Sequence, residues 1–284
     1  MTEHGKRMTQ PKKVTYSISQ LVPYINWRYF YFAWQVTDRA ERRRLRAEAE
    51  RLLGDMDGRY HAYALCLLAE AYGDGDDLLL NGERLPLLRQ QHAEKGKPCL
   101  CLSDFVRPVE QGVPDTVGVF ATSVDRSVVT DSGHDDYQKM MAQLLADRLA
   151  EAAAERVHEQ VRRTDWGYAP NERLTVEQLH AERFQGIRPA VGYPSLPDTS
   201  VNFLIDRLLH LADIGIRLTE SGAMIPHASV SGLMLAHPEA RYFTIGSIDE
   251  TQLADYAGRR GLPVELLRKF LGGMVAHSTT AKPL

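Results

Sequence analysis

The stretch from Asp135 to Arg163 constrains the fold of this chain more than any other part of the sequence. Acidic residues lie in its first turn and arginines in its last, an arrangement that complements the dipole of an α-helix. Its apolar residues recur at helical spacing: Met140, Met141, Leu144, Leu145, Leu149, Val157 and Val161. The pattern predicts a helix well above the average length, with one buried face, that supports the whole domain.

Segments on either side of this helix have the residue pattern of β-strands. The predicted strands are KPCLCLSDFV, DTVGVFATSV, IRLTES, ASVSGLMLA and RYFTIGSI, whereas the region Tyr60–Asp77 has only a weak signal. The last three alternate well enough between apolar and polar residues to be three strands of an antiparallel sheet. Because helix-rich blocks flank these strands, the sequence predicts an α+β fold and not a doubly wound parallel sheet.

Further helices are indicated by charge pattern and by capping residues. DRAERRRLRAEAERLL places charges of both signs at i,i+4 spacing, which favours a solvated helix face over a nucleic-acid patch. Other helix starts are marked by Thr175 with Gln178, by Ser247 with Glu250, and by Pro263, whose helix ends near Leu271. We expect a flexible N-terminal tail at residues 1–13, a folded domain at 14–274 and a C-terminal tail at 275–284.

The composition argues against several classes of protein. Lys plus Arg number 34 and Asp plus Glu number 37, so the net charge is −3 and no nucleic-acid partner is expected. No stretch approaches the roughly 18 apolar residues of a membrane helix, and the polar start MTEHGKRMTQPKK is unlike a secretory signal, so no membrane association is expected. Three cysteines, an odd number, are typical of a reducing compartment, which predicts a cytoplasmic protein.

The segment RFQGIRPAVGYPSLPD is the part of the sequence that points most directly to a ligand. Arg188 lies between Gly186, Pro189 and Pro194, in a backbone with little freedom. A stiff loop that presents backbone amides and one guanidinium suits a carboxylate or a phosphate, which arginine can bind through two hydrogen bonds. Gly192 would let a flat ligand approach the backbone closely. The alternative is a rigid connector whose arginine forms a surface ion pair.

Other motifs have simpler structural explanations. Cys99 and Cys101 form a C-x-C pattern that lacks zinc-site spacing, so buried cysteines on one face of a strand are favoured. HDDY at 134–137 is a poor chelate, and the sequence predicts no metal site. HASVSG lacks the nucleophile elbow of a hydrolase. The aromatic residues around Trp27 could stack on a planar ligand, but core packing is favoured for most of them.

A series of motifs then resembles one known family. GHDDYQKMMAQLLADRLAEAAAERVHEQVRR, WGYAPNE, FQGIRPAVGYPSLPD, LTESGAM, ASVSG, HPEARYF and DYAGRRG occur in the order and spacing of the C-terminal activation domain of cobalamin-dependent methionine synthase. The resemblance is strong from Gly133 to Leu271 and extends upstream through LVPYINW, LSDFV and VGVFATSV. It implies a C-shaped α+β domain around a twisted antiparallel sheet. It also implies that the domain binds S-adenosylmethionine and docks over a separate cobalamin-binding domain.

The resemblance carries specific residues onto this chain. Arg188 matches the arginine that binds the methionine carboxylate, and Tyr193 matches the tyrosine that faces the corrin and cobalt, so Tyr193 is the expected catalytic residue. Glu182 matches a glutamate that reaches the ligand through water, and Ala190 a position that contacts it through the backbone. The expected cofactor-binding residues, including Gly192 from the loop argument, are Asn26, Glu182, Arg188, Ala190, Gly192, Tyr242 and Phe243.

Several positions depart from the family pattern. Asn26 replaces an aspartate that pairs with the ligand's ammonium group, and losing that bond could cost about 1–3 kcal/mol, or roughly tenfold to a hundredfold in affinity. Phe243 replaces a ring that carries a hydroxyl. Ile225 replaces a tryptophan, and His227 occupies a position where glycine is usual.

The sequence therefore predicts an activation subunit that binds S-adenosylmethionine and supports reductive remethylation of cob(II)alamin to methylcobalamin on a partner. The implied partners are a cobalamin-binding methionine synthase subunit and flavodoxin or a similar electron donor. Because no folate, homocysteine or cobalamin motif is present, the chain is not expected to be a complete enzyme alone. One alternative is a non-catalytic corrinoid-docking module that has lost S-adenosylmethionine binding. A stand-alone methyltransferase is less well supported, since no general base is visible near RPAVGYP.

Overall fold

The computed structural model describes residues 10–133 and 135–276. Within these ranges the strands are β1 (Lys12–Ser17), β2 (His61–Asp74), β3 (Asp77–Leu80), β4 (Glu83–Pro86), β5 (Asp115–Val124), β6 (Arg217–Leu218), β7 (Met224–Ile225) and β8 (Ser229–Met234). The α-helices are α1 (Ile18–Leu21), α2 (Trp27–Ala33), α3 (Arg39–Met56), α4 (Ser127–Thr130), α5 (Asp136–Gln160), α6 (Val176–His180), α7 (Val201–Leu209), α8 (Glu250–Arg260) and α9 (Val264–Leu271). The predicted tails at 1–13 and 275–284 fall mostly outside the described residues, although β1 already begins at Lys12.

A curled antiparallel sheet in the order β4-β3-β2-β5-β8 forms the centre of the fold, and β1 pairs with β2. β1 and β3 lie along the same edge of β2, with Lys12 opposite Cys66 and Ala71 opposite Leu80. The α+β fold and its antiparallel sheet are thus confirmed.

Strand β2 packs against core residues on both faces of the sheet. Ala62, Ala64, Cys66 and Leu68 enter a core shared with α1, α3 and α5. The alternate residues Leu65, Leu67, Ala69 and Ala71 enter a second core shared with α7 and the loops on the opposite face. A strand buried on both faces has a nearly continuous apolar run, which explains the weak signal over Tyr60–Asp77.

The long helix is confirmed and supports the first core. α5 contains 25 residues, and a π-helical segment of 5 residues continues it from Val161 to Asp165. Its buried apolar face includes Met141, Leu145 and Leu149. Polar residues of the same helix, Glu155 and His158, are also buried, and they take part in the candidate site described below.

Two predicted strands have a different structure. In KPCLCLSDFV, Leu102–Phe105 is a 3-10 helix, because the Asp104 carboxylate accepts a hydrogen bond from the backbone N–H of Cys101 at 2.8 Å and closes the chain into a turn. Cys101 is buried as expected, whereas Cys99 is only partly buried, and neither of them lies in a strand. In IRLTES, only Arg217 and Leu218 are extended, and they pair with β7 in a separate two-stranded sheet.

RYFTIGSI is also not a strand of the sheet, because its polar backbone groups pair with loops. Ile245 N donates to Pro194 O at 3.0 Å, and the side chain of Gln90 donates to Thr244 O at 2.8 Å. The helix after this segment is capped by Asp249, whose carboxylate accepts from Gln252 N at 2.8 Å, and not by Ser247 as predicted. The helix after Pro263 and the capping box of Thr175 with Gln178 are confirmed.

The aromatic segment divides between core and surface. Phe30 is fully buried, and Trp27, Tyr31 and Trp34 pack against the same core, as expected. Tyr29 and Phe32 instead face outward.

Candidate functional site

The proline loop lies along the free edge of β8. Ile187 exchanges two backbone hydrogen bonds with Leu235, at 2.9 and 3.0 Å, and Leu233 N donates to Pro189 O at 3.0 Å. Gly232 makes this approach possible, since a Cβ atom there would lie 2.2 Å from Pro189 O. The irregular segment before Gly192 is therefore fixed to the central sheet.

Most backbone N–H groups of the loop are already paired with other atoms of the chain. Val191 N donates to Ser231 O at 2.9 Å, Gly192 N to Leu196 O at 2.8 Å, and Tyr193 N to Ala190 O at 3.2 Å. Gly192 has a φ of +87°, and a Cβ atom at this position would meet only the Thr199 methyl group within 4 Å. The loop therefore offers a ligand mainly its side chains, whereas the sequence predicted that it presents backbone amides together with one guanidinium.

Arg188 projects from this loop onto α5. Its Nη2 donates to Glu155 Oε2 at 3.0 Å, and its Nη1 lies 3.1 Å from His158 Nδ1. The Arg188 and Glu155 side chains are 13% and 10% exposed, so the ion pair meets solvent only at its edge. The carboxylate partner of Arg188 belongs to the chain itself, which is the ion pair of the alternative interpretation, although the pair is nearly buried and not on the open surface.

His158 is neutral in this arrangement. Burial, together with the positive charges of Arg188 and Arg162, holds the pKa of His158 well below its ordinary value. Phe184 packs against the ring edge to face, with centroids 4.9 Å apart. His158 Nε2 is buried and has no hydrogen-bond partner among the described residues.

The segment that carries Tyr242 and Phe243 is held against the proline loop by Ser195. The Ser195 hydroxyl donates to Phe243 O at 2.6 Å, and Phe243 N donates back to the same hydroxyl oxygen at 3.2 Å. The Tyr242 hydroxyl accepts a hydrogen bond from the backbone N–H of Arg188 at 2.9 Å. Burial raises the pKa of Tyr242, which keeps its hydroxyl protonated. Tyr242 and Arg188 therefore belong to one cluster.

Tyr193 lies beside a separate cavity. Its hydroxyl donates to Glu151 Oε1 at 3.2 Å, and the residue is 55% exposed. The negative charge of Glu151, together with burial, raises the pKa of Tyr193 to about 12. The cavity beside it has a volume of about 300 Å³ and is also lined by Asp147, Arg148 and Asn202. Of the expected site residues, Tyr193 alone lines this cavity.

Two further expected residues lie at the ends of short helices. Asn26 caps α2, where its side-chain oxygen accepts from Arg28 N at 3.2 Å. Glu182 follows α6 with a φ of +54°, a left-handed conformation that is uncommon for a residue with a side chain. Burial raises the pKa of Glu182, against the opposing effect of the Arg188 charge. Glu182 is thus an electrostatic neighbour of Arg188, whereas Asn26 has no contact with the cluster among the hydrogen bonds of the described chain.

The sequence motifs did not single out the residues of α5 that hold this site. Glu151, Glu155 and His158 lie at i, i+4 and i+7, on one face of the helix, and bind Tyr193 or Arg188. In the sequence, these three residues form a polar stripe at helical spacing beside the apolar stripe of α5. Such a stripe is typical of a solvated face, and only the position of the proline loop shows that it is covered.

The described residues contain neither a metal centre nor a membrane span. No group of three or more His, Cys, Asp or Glu side chains is arranged to hold a metal ion in residues 10–133 and 135–276. Among the helices of that same part of the chain, none is long and apolar enough to cross a membrane.

The fold and the cluster together define an α+β domain. In this domain a nearly buried arginine–carboxylate pair joins the proline loop to α5, the longest of the described helices. The sequence profile of the family described as "Vitamin B12 dependent methionine synthase, activation domain" matches residues 17–261. The chain belongs to this family, and the resemblance found in its motifs is confirmed. It is also similar to a solved structure described as "Crystal Structure of the MetH Reactivation Domain bound to AdoHcy". The two chains are 35% identical, the match covers 97% of this chain and 93% of that one, and the TM-score is 0.91.

Proposed function

We propose that this chain binds S-adenosylmethionine and supports reductive remethylation of cob(II)alamin to methylcobalamin on a partner corrinoid protein. The observation that carries the proposal is the Arg188 cluster, in which a guanidinium is fixed by Glu155 and His158 and still meets the surface. The AdoHcy named for the similar structure has the same amino-acid head as S-adenosylmethionine, and such a head carries a carboxylate that arginine binds well.

The residues present fit such a ligand. Glu155 Oε1 and His158 Nε2 are buried without partners in the described chain, so the cluster has polar atoms that a ligand or water can satisfy. Arg188 would hold the carboxylate, and Tyr242, Phe243, Glu182, Ala190 and Gly192 would surround the rest of the ligand, with Asn26 beside its head. When bound, S-adenosylmethionine supplies a methyl group from its sulfonium to a nucleophilic metal centre.

Tyr193 is the residue that we assign to the partner's side of the reaction. It is exposed beside the cavity, and Glu151 fixes its hydroxyl. A raised pKa keeps that hydroxyl neutral, so Tyr193 would act by contact and by excluding water, not as a proton donor at neutral pH. The partner is a cobalamin-binding methionine synthase subunit, and a flavodoxin-like protein or another carrier delivers the electron in the cytoplasm.

Calorimetric titration of S-adenosylmethionine tests the first step. The wild-type chain should bind in the micromolar range, and Arg188→Ala should abolish binding. Arg259→Ala is a suitable control, because Arg259 is also partly buried and is paired with the Asp77 carboxylate outside the cluster. Loss of binding in both variants would mean that the effect is one of stability, and binding retained in Arg188→Ala would overturn the assignment.

A corrinoid-docking module without S-adenosylmethionine binding is the second candidate. The observation in its favour is that Glu155 already satisfies part of the Arg188 guanidinium, while Tyr193 stays exposed. This candidate would be established if the chain binds the cobalamin-loaded partner and changes its cobalt spectrum but does not bind S-adenosylmethionine. Loss of partner binding in Tyr193→Ala would locate the docking surface in either case.

A further inference from the structure

In the ion pair between Arg188 and Glu155, only one of the two carboxylate oxygens of Glu155 accepts a hydrogen bond. Arg188 Nη2 donates to Glu155 Oε2 at 3.0 Å, whereas Glu155 Oε1 is buried and has no hydrogen-bond partner among the described residues. Leaving a buried carboxylate oxygen without a donor is costly. Such an atom therefore marks a position where a donor from outside the chain is expected to bind.

The Arg188 guanidinium also has N–H donors that its internal partners do not use. A guanidinium carries five N–H donors. Within residues 10–133 and 135–276, the side-chain hydrogen bonds of Arg188 go to Glu155 and to His158. The remaining N–H groups can bind a carboxylate while the internal ion pair stays intact.

The charges of the cluster favour one class of ligand head. Arg188 and Glu155 cancel, and His158 and Tyr242 are neutral, so the inner site is a dipole with no net charge. A phosphate or a dicarboxylate would place negative charge against Glu155, and the second carboxylate of Glu182 would add to this repulsion. An α-amino acid head carries an ammonium and a carboxylate on one carbon, and it matches the two charges of the pair.

We infer that Glu155 binds the α-ammonium group of the ligand's amino-acid head while Arg188 binds its α-carboxylate. This inference rests on the proposed function and adds to it the residue that recognises the positive end of the head. It predicts that this chain selects ligands that carry a free α-amino group, through a carboxylate on α5.

A comparison of two ligands in two proteins tests the inference. The ligands are S-adenosylhomocysteine and its analogue in which hydrogen replaces the α-amino group, and the proteins are the wild type and Glu155→Gln. Removing the amino group should weaken binding to the wild type by about 10- to 100-fold, but binding to Glu155→Gln by less than about threefold. Glu159→Gln is the matched control, since it removes another nearly buried carboxylate of α5, which pairs with Arg156 and Arg163 outside the cluster, and it should keep the wild-type ratio.

Each other result has a definite meaning. If Glu155→Gln keeps the full penalty for loss of the amino group, or if the wild type shows none, Glu155 does not bind the ammonium, although the proposed function stands. If neither ligand binds the wild type, the proposed function and the inference fail together.

A second variant covers the case in which Glu155→Gln does not fold. Glu155→Asp keeps the charge but withdraws the carboxylate by one methylene group. It should lower the penalty for loss of the amino group below the wild-type ratio, and an unchanged ratio would overturn the inference.

Discussion

Arg188 and His158 meet through Nη1 and Nδ1 at 3.1 Å. Because a guanidinium can only donate hydrogen bonds, Nδ1 is the accepting nitrogen and the imidazole proton lies on Nε2. A protonated imidazole would turn an N–H toward the guanidinium and break this contact. The orientation of Arg188 therefore depends on His158 remaining neutral.

The stability of the domain should depend on pH through His158. Its pKa is lowered well below the ordinary value in the folded protein, so below about pH 6.5 the unfolded chain takes up a proton that the folded chain does not. As the pH decreases, the free energy of unfolding should fall by up to about 1.4 kcal/mol per pH unit from this group. Urea unfolding between about pH 5 and pH 8 should show a smaller slope in His158→Gln. His92→Gln removes an exposed imidazole and serves as the control; an unchanged slope in His158→Gln would contradict the prediction.

Gly232 should be required for the position of the proline loop. A Cβ atom there would lie 2.2 Å from Pro189 O and 2.9 Å from Ala190 Cα, so Gly232→Ala must displace the loop from β8. We expect a loss of about 2–3 kcal/mol in unfolding free energy, together with weaker S-adenosylmethionine binding. Gly258 lies within α8 with no atom within 4 Å of its added Cβ, so Gly258→Ala should be neutral or stabilising in the same denaturation assay.

Glu151 should control the ionisation of Tyr193. Its negative charge is the largest cause of a Tyr193 pKa of about 12. In Glu151→Gln that pKa should fall toward about 10, the ordinary value for tyrosine. Ultraviolet difference titration of each protein against its Tyr193→Phe counterpart measures this one hydroxyl. Equal titration curves in the two backgrounds would show that Glu151 does not act on Tyr193.

Asn26→Asp should strengthen ligand binding without harming the fold. Asn26 caps α2 through its side-chain oxygen, and aspartate is an equally good N-cap that also complements the helix dipole. Calorimetry should show about tenfold higher affinity for S-adenosylmethionine. Asn26→Ala removes the cap, and it should cost about 1 kcal/mol of stability with no gain in affinity. An unchanged affinity in Asn26→Asp would place the ligand head away from α2.

Local sequence signals predicted the elements whose stability is local. α5 has its own apolar stripe and favourable termini, and the proline loop is stiff because of its own residues. β2 gave a weak signal because its neighbours on both faces come from distant parts of the chain. RYFTIGSI has strand-like alternation, but Ser195 and Pro194 take its backbone hydrogen bonds. Arg188 was predicted as a binding residue, whereas Glu155 and His158 become part of the site only when the loop folds back onto α5.

The helical rise of α5 fixes the distance between the two halves of the site, which are held by Glu151 and by Glu155. Glu151 holds Tyr193 and Glu155 holds Arg188, and four residues of α-helix separate them by about 6 Å along the axis. Loops on either side can adjust to a ligand or a partner without altering that spacing. An inserted residue between the two glutamates would turn one of them by about 100° around the helix axis. Glu151 and Glu155 could then no longer hold Tyr193 and Arg188 at the same time.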